Sequence, residues 1–122
     1  MSWYAAHLIM YFKFLDGVQS NYTIWENVIL IRANTDEEAY EKAKRKGVES
    51  EDGSSLTLEN NDRPVTLTFA GVRKIFRVLE CYAPEMIPTD GTEVTFTKYE
   101  IDDEETFLRY VKKEPVKVKC VE

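Results

Sequence analysis

With 122 residues, 43% of them apolar and 12% aromatic, the chain is the size of one ordinary domain and too rich in core formers to be disordered. Its formal net charge of −6 and the lack of a basic stripe exclude duplex nucleic acid and anionic membranes as natural partners. Lys13 and Asp16 interrupt the only long apolar run, so no secretory signal or membrane span is expected and a cytoplasmic location follows.

The first predicted element is a strand from Trp3 to Leu15, ended by Asp16-Gly17 and the polar run Gln19-Ser20-Asn21. A second strand, Thr23 to Ala33, follows closely enough to form an antiparallel hairpin with it. Thr35 then caps a helix, with Glu38 three residues on as the reciprocal partner of a capping box. Acidic Asp36-Glu37-Glu38 opens that helix and Lys42, Lys44, Arg45 and Lys46 close it, as the helix dipole favours. Ala39, Tyr40 and Ala43 are its predicted inner face, and Gly47 its C-terminal stop.

Glu49 to Ser55 reads as a loop, and Leu56 and Leu58 as a short strand. The turn formers Asn60-Asn61-Asp62-Arg63-Pro64 lead into a long strand, Val65 to Tyr82, with Gly71 a natural bulge position. Pro84 and Pro88 break the chain before a further strand from Thr92 to Ile101. Asp102 and Glu105 repeat the capping pattern ahead of a helix whose apolar stripe is Phe107, Leu108, Tyr110 and Val111. Pro115 stops it, and Val116 to Val121 alternates as a last strand.

This order predicts a single α+β domain, 1–122: a ferredoxin-like antiparallel sheet with two helices on one face and an added N-terminal strand. The first strand is unusual within that plan. Tyr4, Ala6, Leu8, Met10, Phe12 and Phe14 form one apolar face, but Trp3, Ala5, His7, Ile9, Tyr11 and Leu15 form another. A large side chain left in water forgoes about 1.5–3 kcal/mol of burial, so something must cover the second face. A second copy of the chain, the long strand curling into a partial barrel, or a ligand could each do so, and a symmetric homodimer is the commonest solution.

Few residues suggest chemistry. His7 is the only histidine, and no HExxH, GxSxG, Cys/His cluster or phosphate-binding glycine loop occurs, so neither a metal nor a cofactor is expected. Cys81 and Cys120 lack CxxC spacing and read as reduced, partly buried thiols. Glu26, beside Trp25, could act as an acid or base if buried, and Arg73 could clamp a carboxylate or pair with Glu26. His7, Glu26 and Arg73 can be grouped on one sheet face, with Trp3, Tyr11 and Trp25 completing the candidate binding residues.

Four stretches, Trp3-Tyr4-Ala5-Ala6-His7-Leu8, Trp25-Glu26-Asn27-Val28, Asp36-Glu37-Glu38-Ala39 and Phe69-Ala70-Gly71-Val72-Arg73-Lys74, resemble a family of small bacterial proteins of unknown function. The resemblance spans most of the chain and implies a bacterial, single-domain protein without implying an activity. The leading expectation is a binding or protein-interaction module, homodimeric through its sheet face. The alternative is a small enzyme or small-molecule binder with its site around His7, Glu26 and Arg73.

Overall fold

The computed structural model describes residues 1–57, 63–78, 81, 83 and 85–121, with 54–57 described by backbone alone. The elements in chain order are β1 (Ser2–Phe14), β2 (Ile24–Ala33), α1 (Asp36–Glu49), β3 (Asp52–Thr57), β4 (Pro64–Arg77), β5 (Lys98–Glu100), α2 (Glu104–Val111) and β6 (Lys119–Val121). The chain is therefore α+β, with a four-stranded antiparallel sheet and two helices.

The sheet runs β2-β1-β4-β3, which places β1 in its interior. Its ladder with β2 is unbroken from Ser2↔Ala33 to Tyr11↔Ile24. Its ladder with β4 slips twice, at His7/Leu8 and at Ile9/Met10, where Arg73 and Ala70 are the extra residues. Gly71 lies between these two bulges, the region where a glycine was expected to interrupt regular pairing.

Tyr4, Ala6 and Leu8 of β1 pack with Ile31 and Ala33 of β2 against Ala39 and Ala43 of α1. The helix meets the sheet with small residues four apart, so the two approach closely. Thr35 caps it by accepting from the Glu38 backbone N–H (3.1 Å), while Glu38 accepts from the backbone N–H of Asn34 (2.9 Å). That hydrogen bond holds the Glu38 carboxyl below its ordinary range, with a smaller contribution from Lys42. Its stabilisation is therefore present above the usual carboxylate range and is lost as pH falls through the lowered value.

Gly47 does not stop α1. It is buried within the helix, which ends at Ser50, and a Cβ there would lie 2.3 Å from the Phe69 ring. Close approach, rather than termination, explains this glycine. Tyr40, expected inside, is exposed, because the buried stripe passes through Ala39, Ala43 and Gly47.

The C-terminal third departs most from expectation. A ferredoxin-like core would set both helices on one face of one sheet, but only α1 packs on the four-stranded sheet. β5 and β6 pair with each other in a separate two-stranded sheet. α2 buries none of its residues and touches β5 through the Tyr99 and Tyr110 rings, 6.1 Å apart. Its cap is Asp103, accepting from Thr106 N–H at 2.7 Å, one residue later than Asp102. The expected strand 92–101 is regular only over Lys98–Glu100, and the final one only over Lys119–Val121. β3 begins at Asp52, inside the predicted loop. The expectations for Leu58, the Asn60-Asn61-Asp62 turn, Tyr82 and Pro84 lie outside the described residues.

What covers the second face of β1 is the chain itself. Val78 and Cys81 bury Ala5, with Trp3 packed beside them. The Trp3 indole N–H donates to the Met86 carbonyl (3.0 Å), Thr95 reaches His7, and the Phe96 ring lies 5.0 Å from that of Phe76. Residues following β4 thus return across the sheet as irregular backbone. Cys81 is buried within this layer, whereas Cys120 is exposed, so only one of the two thiols fits the part-buried expectation.

Gly47→Ala should overpack the α1–β4 contact and destabilise the fold by about 1–2 kcal/mol, the clash exceeding the gain in helix propensity. Urea unfolding would measure it, and adding Phe69→Leu should recover most of the loss.

Candidate functional site

β1 points His7 to the second face, between Ala5 and Ile9. The β1–β2 register sets Val28 directly across from His7 and Glu26 across from Ile9, so Glu26 is the diagonal neighbour of the imidazole. On the other side His7 pairs with Lys74, and the adjacent bulge lets both Arg73 and Lys74 reach this face. A polar cluster results within an otherwise apolar layer.

His7 is only 2% exposed, and both ring nitrogens are partnered. Nδ1 lies 2.8 Å from Glu26 Oε2, and Nε2 lies 2.7 Å from Thr95 Oγ1. With Nδ1 donating to the carboxylate, a neutral ring accepts the threonine proton at Nε2, and a charged ring donates to the same oxygen. Either state leaves no buried nitrogen unsatisfied, because the hydroxyl can turn. Glu26 Oε1 also lies 3.4 Å from Arg73 Nε, and the Arg73 guanidinium reaches Cys120 Sγ at 3.4 Å. Lys74 donates to the Phe96 carbonyl (3.3 Å), holding the chain next to Thr95.

Of the predicted residues, the structure brings His7, Glu26 and Arg73 together. Trp3 shares their face but is engaged at one end with Met86, and Arg32 lies over its ring. Tyr11 sits at the other end, its ring 5.9 Å from that of Tyr22. Trp25 is on the opposite face, set edge-on to Phe12 at 5.0 Å. The register puts Ile24, Glu26, Val28 and Leu30 on the face of His7, and Trp25 therefore on the other. Thr95 and Lys74 complete the cluster and were missed as partners of His7. Thr95 is 88 residues away, and nothing local sets it apart from Thr92 or Thr97.

Hydroxyl, imidazole and carboxylate stand here in the order of a nucleophile, its base and the group that orients the base. Such chemistry also needs space for a substrate. The cleft beside Thr95, lined by Phe76, Arg77, Glu93, Val94 and Phe96, encloses about 20 Å³, room for a single water. As arranged, the cluster works as a clasp that fastens the returning segment to the sheet. Among the described residues no three His, Cys, Asp or Glu side chains gather as metal ligands would.

A family model for a domain of unknown function, DUF4288, matches residues 3–95. The chain belongs to the DUF4288 family. The matched part of this DUF4288 protein includes β1, β2, α1, β3, β4 and the clasp residues His7, Glu26, Arg73, Lys74 and Thr95, while Cys120 and the β5–α2–β6 unit lie beyond it. No curated protein and no solved structure matches the chain.

Thr95→Val removes the hydroxyl with little change of shape and strands a buried imidazole nitrogen. It should cost about 1–3 kcal/mol in urea unfolding and speed amide exchange across residues 86–97.

Proposed function

We propose that this DUF4288 domain is a cytoplasmic protein-interaction module that self-associates through the β2 side of its sheet. The carrying observation is the state of β2. Ile24, Val28 and Leu30 stand exposed on one face and Trp25, 51% exposed, on the other, although the neighbouring strand β1 is buried on both faces from Tyr4 to Leu8. The returning segment covers the middle of the sheet and stops short of this flank. Large apolar side chains grouped on one flank mark an association surface more often than scattered ones do.

The polar clasp supports this reading from the other side. Both ring nitrogens of His7 are occupied, by Glu26 and by Thr95, and the cleft beside Thr95 encloses only about 20 Å³. A full complement of internal partners suits a scaffold that holds a surface in place.

Light scattering at micromolar concentration should give twice the 14.2 kDa protomer mass. Val28→Glu places an unpaired carboxylate on the exposed flank and should weaken self-association by about tenfold or more, with the circular dichroism spectrum unchanged. A protomer mass for the unaltered chain at every concentration would overturn the proposal.

A further inference from the structure

The backbone of β2 carries more information than its side chains. Phe12 N–H donates to the Thr23 carbonyl at 3.1 Å, which fixes the phase of the β1–β2 ladder. Thr23 and every second residue after it, Trp25, Asn27, Ile29 and Ile31, turn their main-chain groups toward β1. Ile24, Glu26, Val28, Leu30 and Arg32 turn theirs outward. The Arg32 carbonyl is taken by Lys42 Nζ at 2.6 Å, in agreement with that phase. Among the described residues, no strand pairs with the outer edge of β2.

The two flanks of the sheet differ. Beyond the short β3, β4 is broken by bulges at Ala70 and Arg73, and its Phe69 N–H is taken by the Glu51 carboxylate at 3.0 Å, devices that discourage pairing. β2 has no bulge and no proline over ten residues. It is a regular edge, apolar apart from Glu26, Asn27 and Arg32, and among the described residues no strand covers it.

From this we infer that two copies join edge to edge, β2 against β2 in antiparallel register, into one continuous eight-stranded sheet; the inference rests on the self-association reading above. Four consecutive outward positions remain open, Ile24, Glu26, Val28 and Leu30, and they are symmetric about Asn27. Pairing each with its mirror position sets Ile24 opposite Leu30 and Glu26 opposite Val28 of the second copy, with the two Asn27 residues meeting at the two-fold axis. A two-fold axis at Glu26 would oppose two carboxylates directly, and one at Val28 would draw the occupied Arg32 carbonyl into the ladder.

The chosen register also gives Trp25 a seat. It lies across from Ile29 of the second copy, next to a groove of about 410 Å³ between the β2 edge and α1. Leu30 and Ile31 give that groove an apolar floor, and Lys42, Arg45, Lys46 and Glu49 a charged rim whose long stems can pack on an indole ring. The exposed ring and the groove beside it are complementary parts of one surface, which a two-fold axis requires.

The test uses the full chain with Cys120→Ser, so that the exposed thiol is silent. Two Asn27 Cα atoms in a non-hydrogen-bonded pair stand about 4.5 Å apart, within disulfide range. Asn27→Cys should form an intermolecular disulfide under mild oxidation, whereas Ile24→Cys, separated from its mate by about 20 Å along the strand, should not. Val28→Pro removes one outward N–H and leaves the β1 ladder whole; it should raise the dimer dissociation constant about tenfold or more. A dimer that crosslinks no better through Asn27→Cys than through Ile24→Cys, and that keeps its mass with Val28→Pro, overturns the edge register alone. A protomer mass at every concentration overturns self-association and the register together.

Discussion

β1 is pressed from both sides, and the rest of the molecule is arranged around that fact. On one side α1 supplies a stripe of small residues, so helix and strand come close enough for Tyr4, Leu8 and Phe69 to fill the space between them. On the other side the cover is irregular chain, which has no ladder of its own to hold it in place. It is held instead by individual hydrogen bonds: the Trp3 indole to Met86, the His7 imidazole to Thr95, and Lys74 to Phe96. The His7–Thr95 bond is part-buried, where losing a partner costs more than making the bond gains, while the other two lie at exposed positions.

That burial also decides what the polar cluster can do. A hydroxyl, an imidazole and a carboxylate in series can activate a nucleophile, but the same series can simply fasten two pieces of backbone together. The distances do not separate the two uses. The cleft beside Thr95 encloses only about 20 Å³, while Arg73 and Lys74 also line an open groove of about 410 Å³ against α1. The bulge at Arg73 completes the fastening, because a regular strand would have directed Arg73 and Lys74 to opposite faces, and only one could have served the cluster.

The two flanks of the sheet have been treated differently. β4 is bulged where β3 no longer covers it and gives its Phe69 N–H to Glu51, while β2 stays regular and carries mostly apolar side chains. An edge of the second kind is costly to leave in water and prone to indiscriminate pairing, so its persistence beside a well-guarded edge is physically informative. The outward main-chain groups, the exposed indole and the groove next to α1 are all on this same flank.

Much of the local structure was legible in the residues. Apolar runs bounded by turn residues marked β1 and β2, Thr35 and Glu38 marked the start of α1, and the two apolar faces of β1 required two covering layers. The grouping of His7, Glu26 and Arg73 could be written down before the register was known. What covers the second face could not, because irregular chain has no periodicity to read and the contact from His7 to Thr95 spans most of the sequence. Gly47 looked like a helix stop because the Phe69 ring that requires it comes from a distant strand, and Trp25 was placed with Glu26 because only the strand pairing tells which face each occupies. Short-range patterns follow from backbone geometry and solvent preference, which the sequence carries by itself. Which layer lies where, and which groups meet across it, depended on contacts between distant segments that form only when the chain closes on itself.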